Sequence, residues 1–150
     1  MRGVFLRPVI AVTLVLAACD GATPPPVEPV ACSLPYPAPA GWEAGATNRA
    51  EQGGHVGVEQ VFTRGQDVLV YSAGMLRDQF EEGPVQEGIP LSGGEEASLF
   101  AFGEEVGGKG WTLFWCGPEP CKQYAIDGAG MSRATFVRAL EDAGVLGPEG

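Results

Sequence analysis

Four cysteines carry the sulfur chemistry of this chain of 150 residues: Cys19, Cys32, Cys116 and Cys121. Cys116 and Cys121 bracket the stretch GPEP between two strand-like segments. Directly opposed strand positions lie about 4.5–5.5 Å apart between Cα atoms, a spacing suited to a disulfide. We therefore predict a Cys116–Cys121 disulfide. Because the spacing is not the C-x-x-C of redox motifs, we interpret this disulfide as structural. Cys32 could instead pair with either of these cysteines, remain free, or link two chains.

A glycine-rich stretch, Gly103 to Gly110 (GEEVGGKG), nearly matches a phosphate-binding loop. That motif needs Ser or Thr after its lysine to hold Mg²⁺, and position 110 is glycine. The following WTLFW is strand-like, so no helix N-terminus would face an anion. We interpret the stretch as a connection between strands.

The remaining candidates for chemistry are one histidine and three acidic pairs. His55 is predicted to lie on the surface near the start of a strand, and no cysteine has zinc-ligand spacing around it. Glu81–Glu82, Glu95–Glu96 and Glu104–Glu105 lie in glycine-rich connections. Neighbours in a strand point to opposite faces, so these pairs do not form a carboxylate dyad. We therefore predict no catalytic residue, no metal site and no cofactor.

The charge balance restricts the classes of partner. The formal net charge is −10, and no cluster of lysine and arginine occurs in the sequence. A phosphate backbone would be repelled, which argues against nucleic acid. An acidic surface could bind a basic partner, although such surfaces are usually only solvated.

The N-terminal residues form a three-part pattern. Arg2 and Arg7 precede the apolar run PVIAVTLVL, and LAAC follows at residues 16–19. A positively charged start, a short apolar run and small residues before a cleavage point are typical of a secretory signal peptide. The run is shorter than the roughly 20 residues that a membrane-spanning helix requires.

LAAC resembles the lipobox of bacterial lipoproteins, in which leucine and two small residues precede the cysteine that becomes lipidated. This resemblance covers residues 1–19. It implies that residues 1–18 are removed, that Cys19 carries acyl chains, and that the protein is anchored in a membrane on its extracytoplasmic side, periplasmic or outer. Asp20 also resembles the inner-membrane retention signal of enteric bacteria.

The rest of the chain divides into a tether and a domain. Residues 19–40 are rich in proline, which fixes φ and removes hydrogen-bond donors, so we predict an extended tether. Residues 41–147 hold the three tryptophans and are predicted to form the globular domain. That length is sufficient for one small core.

Four pairs of signals predict the elements of the domain. HVGVEQVF and DVLVYSAGM read as a hairpin with Gly65 in the turn, and GWTLFWC and CKQYAI as a second hairpin. VQEGIPL and ASLFAF are further strand candidates. Ser132 and Gly144 bound an amphipathic helix whose apolar face contains Phe136, Val137, Leu140 and Ala143. We therefore expect an α+β fold: a small antiparallel sheet of about five to six strands with one C-terminal helix packed on a face.

The segment from Trp111 to Leu140 resembles the closing strands and helix of small bacterial lipoproteins and of anti-sigma-linked extracytoplasmic domains. This resemblance implies an α+β domain akin to half-barrel lipoprotein carriers, and it transfers no catalytic residue. We interpret the protein as a membrane-anchored, non-enzymatic interaction domain of an unknown envelope partner. The alternative is a carrier or sensor of an apolar ligand. A cavity larger than a few hundred Å³ lined by apolar side chains would favour the carrier, and a filled core the interaction domain.

Overall fold

The computed structural model describes residues 28–75, 87–102 and 110–147, and within them the chain forms one sheet and one helix. The elements are β1 (Val30–Ala31), β2 (Glu43–Gln52), β3 (His55–Arg64), β4 (Asp67–Ala73), β5 (Glu87–Pro90), β6 (Glu96–Phe102), β7 (Gly110–Cys116), β8 (Gln123–Ala129) and α1 (Arg133–Asp142). The mostly β architecture with one helix confirms the predicted α+β class. The sheet has eight strands, more than the five to six expected. No helix in these three ranges is long and apolar enough to cross a bilayer.

The strand order is β1-β3-β4-β8-β7-β6-β5, with β2 on the other edge of β3. All pairs are antiparallel except β1 with β3. β4 pairs with residues 58–64 of β3, and the short β1 pairs with His55 and Val56. β1 and β4 therefore lie on the same side of β3, one after the other along its length. Among the described strands, β2 and β5 are therefore the outermost.

Both predicted hairpins are present. β3 and β4 are joined through Gly65, whose φ of 62° lies in the left-handed region that glycine tolerates. In the second hairpin Trp115 lies opposite Tyr124 and Leu113 opposite Ile126, so these four side chains share one face. Apolar alternation is the signal that made both hairpins predictable.

β2 was not predicted because its sequence, EAGATNRAEQ, contains no large apolar residue. Eight of its ten residues are exposed, as expected of an outer strand with little core contact. Its pairing with β3 shifts between Ala44 and Thr47. The Gln60 side chain stabilises this irregularity because its amide donates to the Gly45 carbonyl oxygen at 2.8 Å. A side-chain hydrogen bond thus supports β2 where apolar core contacts are absent, so the strand has no apolar pattern by which it could be predicted.

The helix begins and ends where the sequence predicts. The Ser132 hydroxyl accepts a hydrogen bond from the Thr135 N–H, as an N-cap residue does. Gly144 follows the helix with φ of 69°, and the Val145 N–H donates to the Leu140 carbonyl oxygen at 2.9 Å. This is the glycine-terminated C-cap expected of such a sequence.

A filled core lies between the sheet and α1. Tyr71, Ile126, Leu113 and Leu99 form one row across four neighbouring strands, and each is at most 1% exposed. Phe136 and Leu140 of α1 are fully buried in the same cluster. Val137, which we expected on the buried face, is only half-buried. Phe136, Ala139 and Leu140 thus provide the buried face of the helix.

Replacing Tyr71 by phenylalanine is expected to increase the free energy of unfolding by about 1 kcal/mol at pH 7. The Tyr71 hydroxyl is buried and has no hydrogen-bond partner in the described part of the chain, a costly arrangement. Burial also raises the pKa of Tyr71, so the folded state disfavours the phenolate. Wild-type stability should therefore fall as the pH rises above about 10, the ordinary tyrosine pKa of the unfolded chain. Urea unfolding of both proteins at pH 7 and pH 11 measures this, and a less stable Tyr71→Phe protein at pH 7 would contradict it.

Candidate functional site

The disulfide joins Cys32 to Cys121, with 6.0 Å between their Cα atoms, and Cys116 is free and exposed. The predicted Cys116–Cys121 pairing is therefore wrong. Cys116 lies opposite Gln123, because the hairpin loop extends to Lys122 and is closed by a hydrogen bond from the Gly117 N–H to the Lys122 carbonyl oxygen. Cys121 thus lies in the loop, outside the ladder. Of the states considered for Cys32, the structure shows a disulfide with Cys121.

Residues 30–40 belong to the folded domain, so the predicted boundary at Gly41 lies too late in the sequence. β1 pairs with β3, and Leu34 and Tyr36 pack against the core. Tyr36 makes an edge-to-face contact with Trp115, at 5.8 Å between ring centroids, and Pro39 is fully buried. The prolines led us to expect an extended tether, but the apolar residues between them pack against the sheet.

His55 is buried, contrary to the expectation of a surface residue. Its Nε2 lies 2.7 Å from the Gly74 carbonyl oxygen, so this nitrogen carries the proton and donates. Gly74 has φ of 68°, and a Cβ atom there would lie 2.5 Å from Cys32 Sγ and 3.0 Å from the His55 ring. A cavity of about 60 Å³ beside these residues is too small for an ordinary ligand. His55 therefore stabilises the end of β4 next to the disulfide.

Several other predicted features lie outside the described residues. These are the signal segment, Cys19, residues 103–109 of the glycine-rich stretch, Glu81–Glu82 and Glu104–Glu105. Gly110 begins β7, so the stretch leads into a strand as predicted. Of the acidic pairs, Glu95–Glu96 is described, and Glu96 begins β6. Across the described ranges, no group of three or more His, Cys, Asp or Glu residues is arranged to hold a metal ion.

A cleft of about 730 Å³ lies between the outer strand β5 and α1. This volume falls within the range of about 300–1,000 Å³ typical of ligand sites. The described residues that line this β5–α1 cleft are partly apolar and partly charged: Glu87, Gly88, Ile89, Pro90, Arg133, Val137, Glu141, Leu146 and Gly147. The cleft is much larger than the cavity of about 60 Å³ beside His55.

The chain following the helix closes one end of the β5–α1 cleft. The Gly147 N–H donates to the Pro90 carbonyl oxygen at 2.9 Å, and Leu146 pairs with Leu91. The Ser92 hydroxyl donates to the Gly144 carbonyl oxygen at 2.6 Å. These contacts hold the end of α1 against the β5 side of the sheet.

An ion pair occupies the other end of the β5–α1 cleft. The Arg133 guanidinium donates to a carboxylate oxygen of Glu87, and both side chains are close to half exposed. At this exposure the pair contributes little to stability, about 0–1 kcal/mol. Sequence reasoning missed this site because these two residues are 46 positions apart. One signal was readable: α1 begins with Arg133 and ends with Glu141 and Asp142, the reverse of the preferred charge order.

The second face of the sheet lies opposite the core. Val61, Val70 and Phe114 are half-buried there, and the Thr112 hydroxyl donates to Asp127 Oδ1 at 2.7 Å. Within the described ranges, α1 covers only the other face. This face is therefore a second surface that any binding experiment must compare with the β5–α1 cleft.

Comparisons of the chain with protein-family models, with curated proteins and with solved structures found no match, so its function is inferred from its own residues and geometry.

Proposed function

We propose that the protein is a membrane-anchored lipoprotein whose domain binds a partner of the cell envelope in the β5–α1 cleft. The observation that supports a binding role is the cleft itself, about 730 Å³ and lined by both apolar and charged side chains. The pattern of residues 1–19 supports the anchor, because two or more acyl chains on Cys19 would give stable membrane attachment.

The composition of the cleft favours a partner with polar groups over a purely apolar ligand. Three of the nine described lining residues are charged: Glu87, Arg133 and Glu141. Burying them against an apolar molecule would remove their hydration without replacement. The large apolar side chains of the domain fill the core between sheet and helix. These features support the interaction domain over the carrier, which would require an apolar-lined cavity.

A binding role is also favoured over a catalytic one by the chemistry of the cleft. Its ionisable side chains are two glutamates and one arginine, and Glu87 already pairs with Arg133. The described histidine lines a different cavity, and the free Cys116 is absent from the described lining of the cleft. A general acid and a general base facing one reacting atom would be required for hydrolysis, and the described cleft residues do not supply that pair.

Replacing Cys19 by alanine is expected to release the protein from the membrane fraction, because no thiol remains at the lipobox position. Fractionation of cells expressing each version at equal levels measures this. The Cys116→Ala protein, which also lacks one thiol, is the matched control and should stay with the membrane. Membrane association of Cys19→Ala equal to that of the control would contradict the anchor.

A photo-crosslinking amino acid tests the cleft in the anchored protein. Placed at Val137, which lines the β5–α1 cleft, it should capture a partner. The same group at Ala134, exposed on α1 and absent from the cleft lining, and at Val70 on the second sheet face should not. Capture through Val70 alone would move the binding surface to the second face and contradict the proposal.

A further inference from the structure

The charges of α1 oppose its dipole. Helices favour acidic residues in the first turn and basic residues in the last, by about 0.3–1 kcal/mol each. In α1 the first turn has no acidic residue and the last turn no basic one. Arg133 begins the helix, and Glu141 and Asp142 end it. The charges at both ends of α1 therefore destabilise the helix through their interaction with its dipole.

Two of these three charges are compensated by a neighbour. Arg133 pairs with Glu87, and Asp142 lies 3.9 Å from Arg138 Nε. Glu141 is exposed, and among the described residues no cation pairs with it. It is thus an uncompensated carboxylate beside the negative end of the helix dipole.

The position of Glu141 relates this charge to the β5–α1 cleft. Arg133, Val137 and Glu141 are spaced by four residues, so they lie along one face of α1, over about 12 Å. All three line the cleft. The face therefore runs from an ion pair, through an apolar middle, to a free negative charge.

A lysine or arginine side chain has the complementary form. Its methylene stem covers apolar surface while its charged head stays polar. Val137 and Leu146 supply apolar lining, and Glu141 together with the last carbonyl groups of the helix supplies negative potential. A single carboxylate is a poor site for a divalent cation, which takes several oxygen ligands. The net charge of −10 also attracts a basic molecule at longer range.

We infer that the β5–α1 cleft receives a lysine or arginine side chain from a basic segment of a partner protein, with its charged head at Glu141. This inference rests on the proposed binding function of the cleft and adds the chemistry of the partner. An acidic partner segment would meet Glu141 and the negative end of the helix, and would be repelled.

A labelled tetralysine peptide and its fully acetylated analogue are suitable probes, titrated into the full chain in detergent at low and at physiological salt. Tetralysine should bind, and acetylation should abolish the binding. Glu141→Gln should weaken it about fivefold, the change expected for one partly solvated ion pair. Asp142→Asn is the matched control because it removes the same charge from the same turn, and Asp142 is absent from the described cleft lining. It should change the affinity less than twofold.

The outcomes separate this inference from the proposed function. Equal weakening by Glu141→Gln and Asp142→Asn would show only general attraction to an acidic protein and would overturn the inference. Equal binding of the acetylated peptide would also overturn it. Partner capture through Val137 that is insensitive to Glu141→Gln leaves the cleft as the binding site and excludes the basic side chain. Absence of capture through Val137 contradicts the proposed function itself.

Discussion

Replacing Cys121 by serine is expected to reduce the free energy of unfolding by about 4 kcal/mol. The Cys32–Cys121 disulfide closes a loop with a sequence separation of 89, and the entropy that such a crosslink removes from the unfolded chain corresponds to about 4–5 kcal/mol. Both cysteines are buried, so a serine hydroxyl would also lie in an apolar cluster with Val58 and Ala73. Guanidinium unfolding of the oxidised proteins measures the difference.

The matched control for this prediction is Cys116→Ser. Cys116 is exposed and free, so its replacement should change stability by less than about 0.5 kcal/mol. Reduction of the wild type should reproduce the loss seen in Cys121→Ser. A large loss in Cys116→Ser together with no loss in Cys32→Ser would contradict the pairing, and peptide mapping under non-reducing conditions would then show a peptide crosslinked through Cys116.

Replacing Phe136 by alanine is expected to reduce the free energy of unfolding by about 4 kcal/mol, as for other fully buried phenylalanines. The Phe136 ring lies directly on Gly128 of β8, because a Cβ atom at position 128 would be 2.5 Å from Phe136 Cδ2. This close approach packs α1 directly against β8. Urea unfolding, monitored by tryptophan fluorescence, measures the loss.

A second variant tests whether the ring and the glycine act together. Gly128→Ala alone should destabilise the protein, since its methyl group collides with the ring. In the double variant the methyl group occupies part of the space that the ring leaves, so the two losses should sum to more than the loss measured for the pair. Strict additivity would contradict direct packing of Phe136 on Gly128. Val137→Ala, at a half-buried position of the same helix, should cost less than Phe136→Ala.

The parts of the fold that follow from periodicity could be predicted from the sequence. β3, β4 and β7 have alternating apolar residues, and α1 has a cap residue, an apolar face and a terminating glycine. β2 could not be predicted, because its small and polar residues contribute almost nothing to the core. β1 is two residues long, and it forms only because β3 offers an unpaired stretch beside the end of β4.

The disulfide and the cleft depend on tertiary positions that local patterns do not contain. A shift of two residues in the loop after Cys116 was enough to move Cys121 out of the ladder and next to Cys32. In the β5–α1 cleft, Glu87 forms an ion pair with Arg133, and the sequence between these two residues does not indicate their contact. What the sequence did contain was the reversed charge order of α1. Such a local disagreement with helix preferences is where functional positions are expected.

The Cys32–Cys121 bond also determines how the domain carries mechanical load. A pull on the chain before Cys32, such as a membrane anchor at Cys19 would exert, first meets β1, whose two residues would peel from β3 at low force. Beyond that point the force passes through a covalent bond to Cys121, next to β8 in the middle of the sheet. Residues 33–120 lie within the closed loop and are shielded from the tension. The disulfide can therefore keep tension off the β5 side of the cleft, whereas α1 at Arg133–Asp142 lies outside the closed loop.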